Sequence, residues 1–190
     1  MPPSSLRFQL RERTASRHAA IDEAVGAFAD LAGYRRYLVG LRAFRAPCEA
    51  AIAAAPLPDG LGDFRFEPLV SLIDADMADL GVAVPVRATA PLAAASPEET
   101  AGRLYVLEGS ALGARVLAVE ARSLGLDEHF GARHLAAQSR GGSGFRAFAA
   151  WLDAARLDRE AVIAAALATF ADAERAFTDP MSRGTAHALA

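Results

Sequence analysis

Two glycines interrupt an otherwise ordinary helical stretch, YVLEGSALGAR, which spans residues 105–115. Gly109 and Gly113 lie four residues apart and therefore share one face of a helix. Each glycine in a helix interior costs about 1 kcal/mol relative to alanine, so the pair calls for an explanation. It predicts a groove of bare backbone that a neighbouring helix or a bound molecule approaches more closely than side chains allow. The glycines alone favour close packing of a neighbouring helix.

The helix around this stretch is predicted to span residues 96–123. Ser96, Pro97 and Glu99 match an N-cap, a proline at the first helical position and a capping-box glutamate. Gly125 provides a stop signal just after the last helical residues.

The rest of the chain shows helical periodicity and no convincing β-alternation. The predicted fold is therefore all-α, a single-domain helical bundle over residues 1–190. Further helices are expected over residues 5–30, 34–55, 69–80, 127–137, 145–155 and 158–177. Irregular segments are expected over residues 56–68, 82–95 and 140–144, and a flexible tail over residues 178–190.

Composition excludes several classes of protein. A chain of 190 residues with 53% hydrophobic residues can bury a sizeable core. Its formal net charge of -3 lacks the basic excess of nucleic-acid-binding proteins. No apolar run is long enough for a membrane span, and the N-terminus does not resemble a signal peptide. Cys48 is the single cysteine, which excludes an internal disulfide and favours a cytoplasmic setting. All 20 basic residues are arginine, so a bound carboxylate would be met by arginine.

The first helix carries a second signal, a histidine on its apolar stripe. The stripe runs through Leu10, Thr14, His18, Ile21, Val25 and Phe28. A lone histidine on such a stripe is usually a hydrogen-bonded core residue. Asp22, four residues on, can hold an imidazole N–H in the way that carboxylates support metal-bound histidines. Arg11, roughly 10 Å back along the helix, can meet carboxylates at the rim of a large flat ligand centred on His18.

Other candidate residues are weaker. The histidines at 129, 134 and 187 have no two-ligand spacing, so a zinc site is not indicated. Tyr34 and Glu49, on the second predicted helix, suit a structural role as well as a functional one. The glycine run at 141–144 has neither a preceding strand nor a following lysine, which excludes a P-loop.

Together, these motifs resemble a bacterial heme oxygenase, most closely the type associated with bacterial phytochromes. The resemblance spans nearly the whole chain. It rests on LRERT (residues 10–14) with His18 and Asp22, on GYRRYL (33–38) leading to Pro47 and Glu49, and above all on YVLEGSALG (105–113).

The resemblance implies that heme lies between the first helix and the glycine helix. It assigns His18 as the proximal iron ligand and Asp22 as the residue that orients its imidazole. Arg11 matches the position at which related enzymes place a basic residue on a heme propionate. Arg146, near the start of a late helix, is a second propionate candidate.

The opposite, distal wall is assigned by the same resemblance to Gly109, Ser110 and Gly113, with dioxygen between the wall and the heme. Animal enzymes carry an aspartate directly after the first distal glycine, where this chain has Ser110. A serine can anchor a water molecule, but it organises a proton relay less well than a carboxylate. The substitution therefore bears on turnover more than on heme binding.

The implied activity is oxidative cleavage of heme b, which serves as both substrate and cofactor. Dioxygen and electrons from an external reductant, such as a ferredoxin or a reductase, would yield biliverdin, ferrous iron and carbon monoxide. The biliverdin could pass to a bacterial phytochrome. The alternatives are a heme-binding or trafficking protein of the same fold, a thiaminase-like hydrolase on this scaffold, and a structural helical protein without a ligand.

Overall fold

The structure, a computed structural model, describes residues 5–55, 57–61, 64–84, 95–140 and 142–179. These residues form helices and no β-strand, which confirms the predicted all-α fold. The helices are α1 (Leu6–Val25), α2 (Leu31–Ala54), α3 (Val70–Asp79), α4 (Pro97–Gly109), α5 (Ala111–Ser123), α6 (Arg133–Arg140), α7 (Gly142–Ala154) and α8 (Arg159–Thr178). None of the described helices is long and apolar enough to cross a membrane. Most of the predicted tail, from residue 180 on, lies outside the described residues.

Helix α8 is the centre of the bundle, because α1, α2 and α4 all pack against it. Helix α4 approaches the backbone of α8 closely at Gly102. A Cβ on Gly102 would lie 2.6 Å from the Cβ of Ala165 and 2.7 Å from the backbone nitrogen of Ala166. Gly40 of α2 plays the same part, since a Cβ there would lie 2.5 Å from the ring of Phe177. Glycine is therefore required in α4 and α2 for these helices to reach α8.

Two apolar clusters fill the interior. The first joins α1, α2, α4, α7 and α8 and includes the fully buried Leu10 and Phe148. The second joins α2, α3, α5 and α6 and includes the fully buried Tyr34 and Leu135. The hydroxyl of Tyr34 donates to the backbone oxygen of Gly131 at 2.7 Å. Tyr34 thus has a structural role, one of the two left open by its sequence position.

Two buried carboxylates each hold the N-terminus of another helix. Glu49 of α2 accepts hydrogen bonds from the backbone N–H groups of Leu69 and Val70, at 3.0–3.1 Å, and pairs with Arg45. Asp76 of α3 accepts in the same way from the backbone N–H groups of Arg133 and His134 at the start of α6, each at 3.0 Å. These contacts satisfy orphan helix donors inside the protein, and they assign Glu49 to structure.

The boundary between α1 and α2 differs from the prediction. Helix α1 ends at Val25 because Gly26 adopts a φ of 61° and its N–H bonds the backbone oxygen of Asp22. Asp30 then caps α2 by accepting from the N–H of Gly33 at 2.7 Å. Gly33 therefore lies in the first turn of α2 and does not separate two helices.

The predicted helix over residues 96–123 is two helices, α4 and α5, which meet at Ser110. The capping box at Ser96 and Glu99 is confirmed, with both reciprocal hydrogen bonds present. At the junction, the Ser110 hydroxyl donates to the backbone oxygen of Leu107 at 2.6 Å. This local bond competes with the regular helical pattern, as serine hydroxyls often do.

The region after α5 also differs from the prediction. Residues 127–131 form a turn in which the Asp127 carboxylate accepts from the N–H groups of His129 and Phe130. Helix α6 therefore begins at Arg133 and runs to Arg140. Of the segment expected to be irregular, residues 140–144, Arg140 lies in α6 and residues 142–144 lie in α7, while residue 141 lies outside the described residues.

Candidate functional site

His18 lies on α1 with 57% of its side chain exposed. The expected burial on the apolar stripe is confirmed for Leu10, Thr14 and Phe28 and is wrong for His18, which is exposed. Its Nδ1 lies 2.9 Å from the Asp22 carboxylate, and its ring lies 6.1 Å from that of Phe170 on α8. The other ring nitrogen, Nε2, has no hydrogen-bond partner among the described residues. The imidazole is therefore oriented on one side and available on the other.

Arg11 differs from the other arginines of α1. Three of them form ion pairs with acids of α7 and α8, namely Arg7 with Asp153, Arg13 with Glu160 and Arg17 with Glu174. Arg11 makes no ion pair within the described part of the chain. Its charge instead affects Tyr105 of α4. Burial raises the pKa of Tyr105, and a hydrogen bond with Thr14 and the charge of Arg11 oppose this rise. Arg11 is thus an exposed cation beside α4.

Neither glycine of the opening stretch is required by a close contact with another helix. A Cβ on Gly109 would meet the Phe145 ring of α7 at 3.8 Å, which is an ordinary contact. A Cβ on Gly113 would have no neighbour within 4 Å among the described residues outside its own helix. Close helix packing therefore does not explain this pair, in contrast to Gly102. The alternative of a groove that admits a bound molecule remains compatible with the structure.

Ser110 lies between these glycines and is exposed. Its hydroxyl oxygen accepts a hydrogen bond from Nε2 of Gln138 on α6, at 2.6 Å, and donates to Leu107. A hydroxyl oxygen has two lone pairs, so one is still available for a water molecule.

Arg146 is exposed on α7 and directly follows Phe145, the residue that contacts Gly109. It makes no ion pair with any other described residue. A positively charged side chain therefore follows directly, in sequence, the residue that contacts Gly109.

The predicted site residues come together in three groups. His18 lies with Asp22, Arg11 lies beside Tyr105, and Gly109 lies beside Phe145. Within the described residues no contact joins His18 to the glycines. Their helices, α1 and α4, pack against the same helix, α8.

The sequence analysis did not identify four residues that accompany these groups, three of them aromatic. Tyr105 could have been found, because it lies four residues before Gly109 and shares its helix face. Phe170, Phe145 and Gln138 come from distant parts of the chain and carried no local signal.

The remaining candidates are not organised for chemistry. His134 is buried and bonded to Asp76 at 2.7 Å. His129 is exposed on a turn, and residue 187 lies outside the described residues. Burial raises the pKa of the Cys48 thiol to about 12, which makes it a poor nucleophile. The described residues include no group of three or more metal-ligating side chains.

The arrangement of helices around α8 is the heme oxygenase fold. Among solved structures, the chain matches that of the NO- and CO-bound heme oxygenase from Neisseria meningitidis, with a TM-score of 0.74. The match covers 92% of this chain and 90% of that one, at 24% identity, a likeness that establishes the fold.

A curated relative is similar in sequence over part of the chain. Heme oxygenase PigA from Pseudomonas aeruginosa is 47% identical over 88 residues. The matched segment covers 45% of this chain and 44% of PigA, so it spans less than half of either protein. No family model matches the chain.

Proposed function

We propose that this protein is a heme oxygenase, which binds heme and cleaves its ring to biliverdin, ferrous iron and carbon monoxide. The observation that carries the proposal is the state of His18, an exposed imidazole held at Nδ1 by Asp22, on the first helix of a chain with the heme oxygenase fold. The partial sequence similarity to PigA supports the same activity.

The residues of the site fit heme. An available imidazole nitrogen suits iron, and exposed cations suit the carboxylates at the rim of the porphyrin. His18 offers such a nitrogen, and Arg11 and Arg146 are exposed cations without ion pairs among the described residues. Gly113 adds to this fit, because the space in which its Cβ would lie has no neighbour within 4 Å among the described residues.

Each residue has a distinct part in the proposed mechanism. Bound heme would supply both the iron for dioxygen chemistry and the ring that is oxidised. The Asp22 carboxylate accepts a hydrogen bond from the Nδ1–H of His18. This bond favours the tautomer in which the Nε2 lone pair is directed outward. Arg11 and Arg146 bind the propionates and set the orientation of the ring. Electrons come from an external donor, for which we propose a ferredoxin or a separate reductase.

The dioxygen side is assigned to the glycine face. Gly109 and Gly113 exclude no volume there, because they have no side chains. The Ser110 oxygen can hold a water molecule at its remaining lone pair. Biliverdin is the proposed product, and a bacterial phytochrome is its proposed recipient, on the resemblance described above.

A heme-binding protein without turnover is the second candidate. It is favoured by one observation, namely that Ser110 stands where an acid would serve a proton relay and that its hydroxyl already bonds Leu107 and Gln138.

The test of heme binding is a titration of the purified protein with hemin, followed by absorption spectroscopy. We expect a one-to-one complex with a sharp Soret band, and a changed spectrum in His18→Ala. His129→Ala is the matched control, since His129 is exposed on a turn and should leave the spectrum unchanged. A wild-type protein that gives no Soret shift with hemin would exclude both candidates.

The test of turnover adds ascorbate, or a ferredoxin with its reductase, to the hemin complex under air. Loss of the Soret band with rising biliverdin absorbance supports the oxygenase. A complex that stays intact under both reductants supports the heme-binding protein.

A further inference from the structure

A cavity of mixed polar and apolar lining adjoins the residues that precede and follow the glycine face, and the proposed function gives it no role. It has a volume of about 500 Å³ and is bounded by α2, α4, α5, α6, α7 and the segment before α3. Its polar lining residues are Arg45, Arg65, Glu67, Glu108 and Gln138. Arg65 and Glu67 are exposed, so the cavity reaches solvent. Its size and lining suit several hydrogen-bonded water molecules.

Glu108 places a carboxyl group in this cavity, one residue before Gly109. The side chain is half-buried and accepts no hydrogen bond from the described residues. Gly144 of α7 leaves room for it, since a Cβ there would lie 3.3 Å from Oε2 of Glu108. Burial raises the pKa of Glu108 to about 7; Arg45 opposes this rise and Glu67 adds to it. Near neutral pH, Glu108 therefore carries a proton for part of the time.

Gln138 and Ser110 connect the cavity to the glycine face. Gln138 lines the cavity and donates its Nε2 hydrogen to the Ser110 oxygen at 2.6 Å. Its Oε1 is thereby free to accept from a cavity water. Ser110 is exposed at the junction of α4 and α5, between the two glycines.

We propose that Glu108 is a positioning residue that holds a proton for the dioxygen side, and that a water oriented by Gln138 and Ser110 carries it there. The inference rests on the proposed function. In the step, a proton leaves the Glu108 carboxyl oxygen, the water passes one of its own protons onward, and solvent returns a proton to the resulting carboxylate. No electron moves in this step. Glu108 thus supplies what Ser110 lacks, an ionisable hydrogen.

The pH dependence follows from the groups that face Glu108. These are Arg45 from α2 and the pair Arg65 and Glu67 from the segment before α3. The lining residues that α6 and α7 contribute are not titratable, namely Ala137, Gln138, Gly144 and Ala147. Because the donor is the protonated form, the proton supply should fall as pH rises through about 7, the pKa of Glu108.

The experiment compares wild type with Glu108→Gln, and uses Glu67→Gln as the matched control from the same cavity. Heme loss with ascorbate is followed from pH 5 to pH 9, and Glu108 is titrated in the heme-free protein by carboxyl-carbon NMR. We expect Glu108→Gln to bind hemin normally and to degrade it at about one tenth of the wild-type rate or slower. The decline in rate above pH 7 should be absent. Glu67→Gln keeps the Glu108 carboxyl and should keep the decline, but at a lower pH, because the Glu67 charge contributes to the raised pKa of Glu108. Glu108→Asp, which restores a carboxyl group, should recover part of the rate.

Several outcomes would overturn the inference. One is a Glu108→Gln protein with the rate and pH profile of wild type, which leaves the proposed function intact. Another is a Glu108 carboxyl that titrates below pH 5 in wild type, and this measurement decides even if the variant does not fold. Failure of the wild-type protein to degrade heme would sink the proposed function, and this inference with it.

Discussion

Asp22 is the residue on which the behaviour of His18 depends. The two side chains lie one helical turn apart and both are exposed, at 57% and 68% of their side-chain surface. A hydrogen bond between such exposed groups contributes little to folding. Its importance lies in the orientation of the ring, because the acceptor on Nδ1 determines which nitrogen faces a ligand.

Asp22→Ala should therefore weaken hemin binding by about tenfold to a hundredfold while leaving the thermal midpoint nearly unchanged. Glu23→Ala, which removes the adjacent exposed acid, is the control and should bind hemin like wild type. Fluorescence quenching by hemin measures the affinity. Equal affinities of the two variants would contradict the role given to Asp22.

Gly113 offers a test of the distal wall at the same scale. Gly113→Leu should suppress heme degradation, because a leucine side chain would occupy the space that the glycine leaves open. Binding of hemin should be retained, and biliverdin formation is the readout. If the variant produced biliverdin at the wild-type rate, Gly113 would not face dioxygen.

At the scale of elements, the glycines of α4 and α5 separate into two kinds. Gly102 is needed for contact with α8, whereas Gly113 has no neighbour to avoid among the described residues. The expected effects of alanine are therefore opposite in sign.

Gly102→Ala should lower the free energy of unfolding by about 1 to 3 kcal/mol, since the added methyl meets the α8 backbone. Gly113→Ala should raise it by up to about 1 kcal/mol through helix propensity. Urea denaturation of the heme-free proteins measures both. A destabilised Gly113→Ala would show that this face is packed in solution.

Asp76 joins α3 to α6 and is fully buried. Its carboxylate accepts from two backbone N–H groups and from the side chains of Arg133 and His134. Asp76→Ala would leave these donors without a partner and should cost about 3 to 5 kcal/mol of stability. Asp74→Ala, which breaks the half-exposed pair with Arg42, should cost about 1 kcal/mol or less. Similar losses for the two variants would contradict the role of Asp76 as an internal cap.

At the scale of the whole molecule, the buried His134 and the half-buried Glu108 act on stability in opposite directions as pH changes. Burial lowers the pKa of His134 below 6.5, and the hydrogen bond and charge of Asp76 only partly offset this. His134 therefore favours the folded state above about pH 6.5, and this stability is lost as pH falls through its lowered pKa. Glu108 behaves in the reverse way. Its raised pKa stabilises the folded state at low pH, and this stabilisation is lost as the pH rises to about 7.

Removal of the Glu108 carboxyl should make the increase of stability with pH that His134 contributes easier to detect. In Glu108→Gln, the free energy of unfolding should rise more steeply between pH 5 and pH 7 than it does in wild type. Denaturation at several pH values in this range measures the slopes, with Glu23→Gln, which changes an exposed acid of α1, as the control. Parallel curves for Glu108→Gln and wild type would show that Glu108 ionises equally in both states of the chain.

Local patterns allowed much of the helical content to be predicted. The capping box at Ser96 and Glu99 involves residues three apart, and the structure contains both of its hydrogen bonds. The pairing of His18 with Asp22 follows from a spacing of four residues and is equally local. The predicted helix ends were less accurate where a local side-chain hydrogen bond changed the helical pattern, as at Ser110 and Asp30.

By itself, the sequence determined that the chain is helical, where most helices lie, and which residues share a helix face with His18 or Gly109. Periodicity specifies a face but not what covers it, so only the tertiary structure decided that His18 is exposed and that Gly102, rather than Gly113, is packed. The caps provided by Glu49 and Asp76, and the cavity at Glu108, join segments far apart in the chain. Such contacts depend on how the helices pack against one another, which no local spacing encodes.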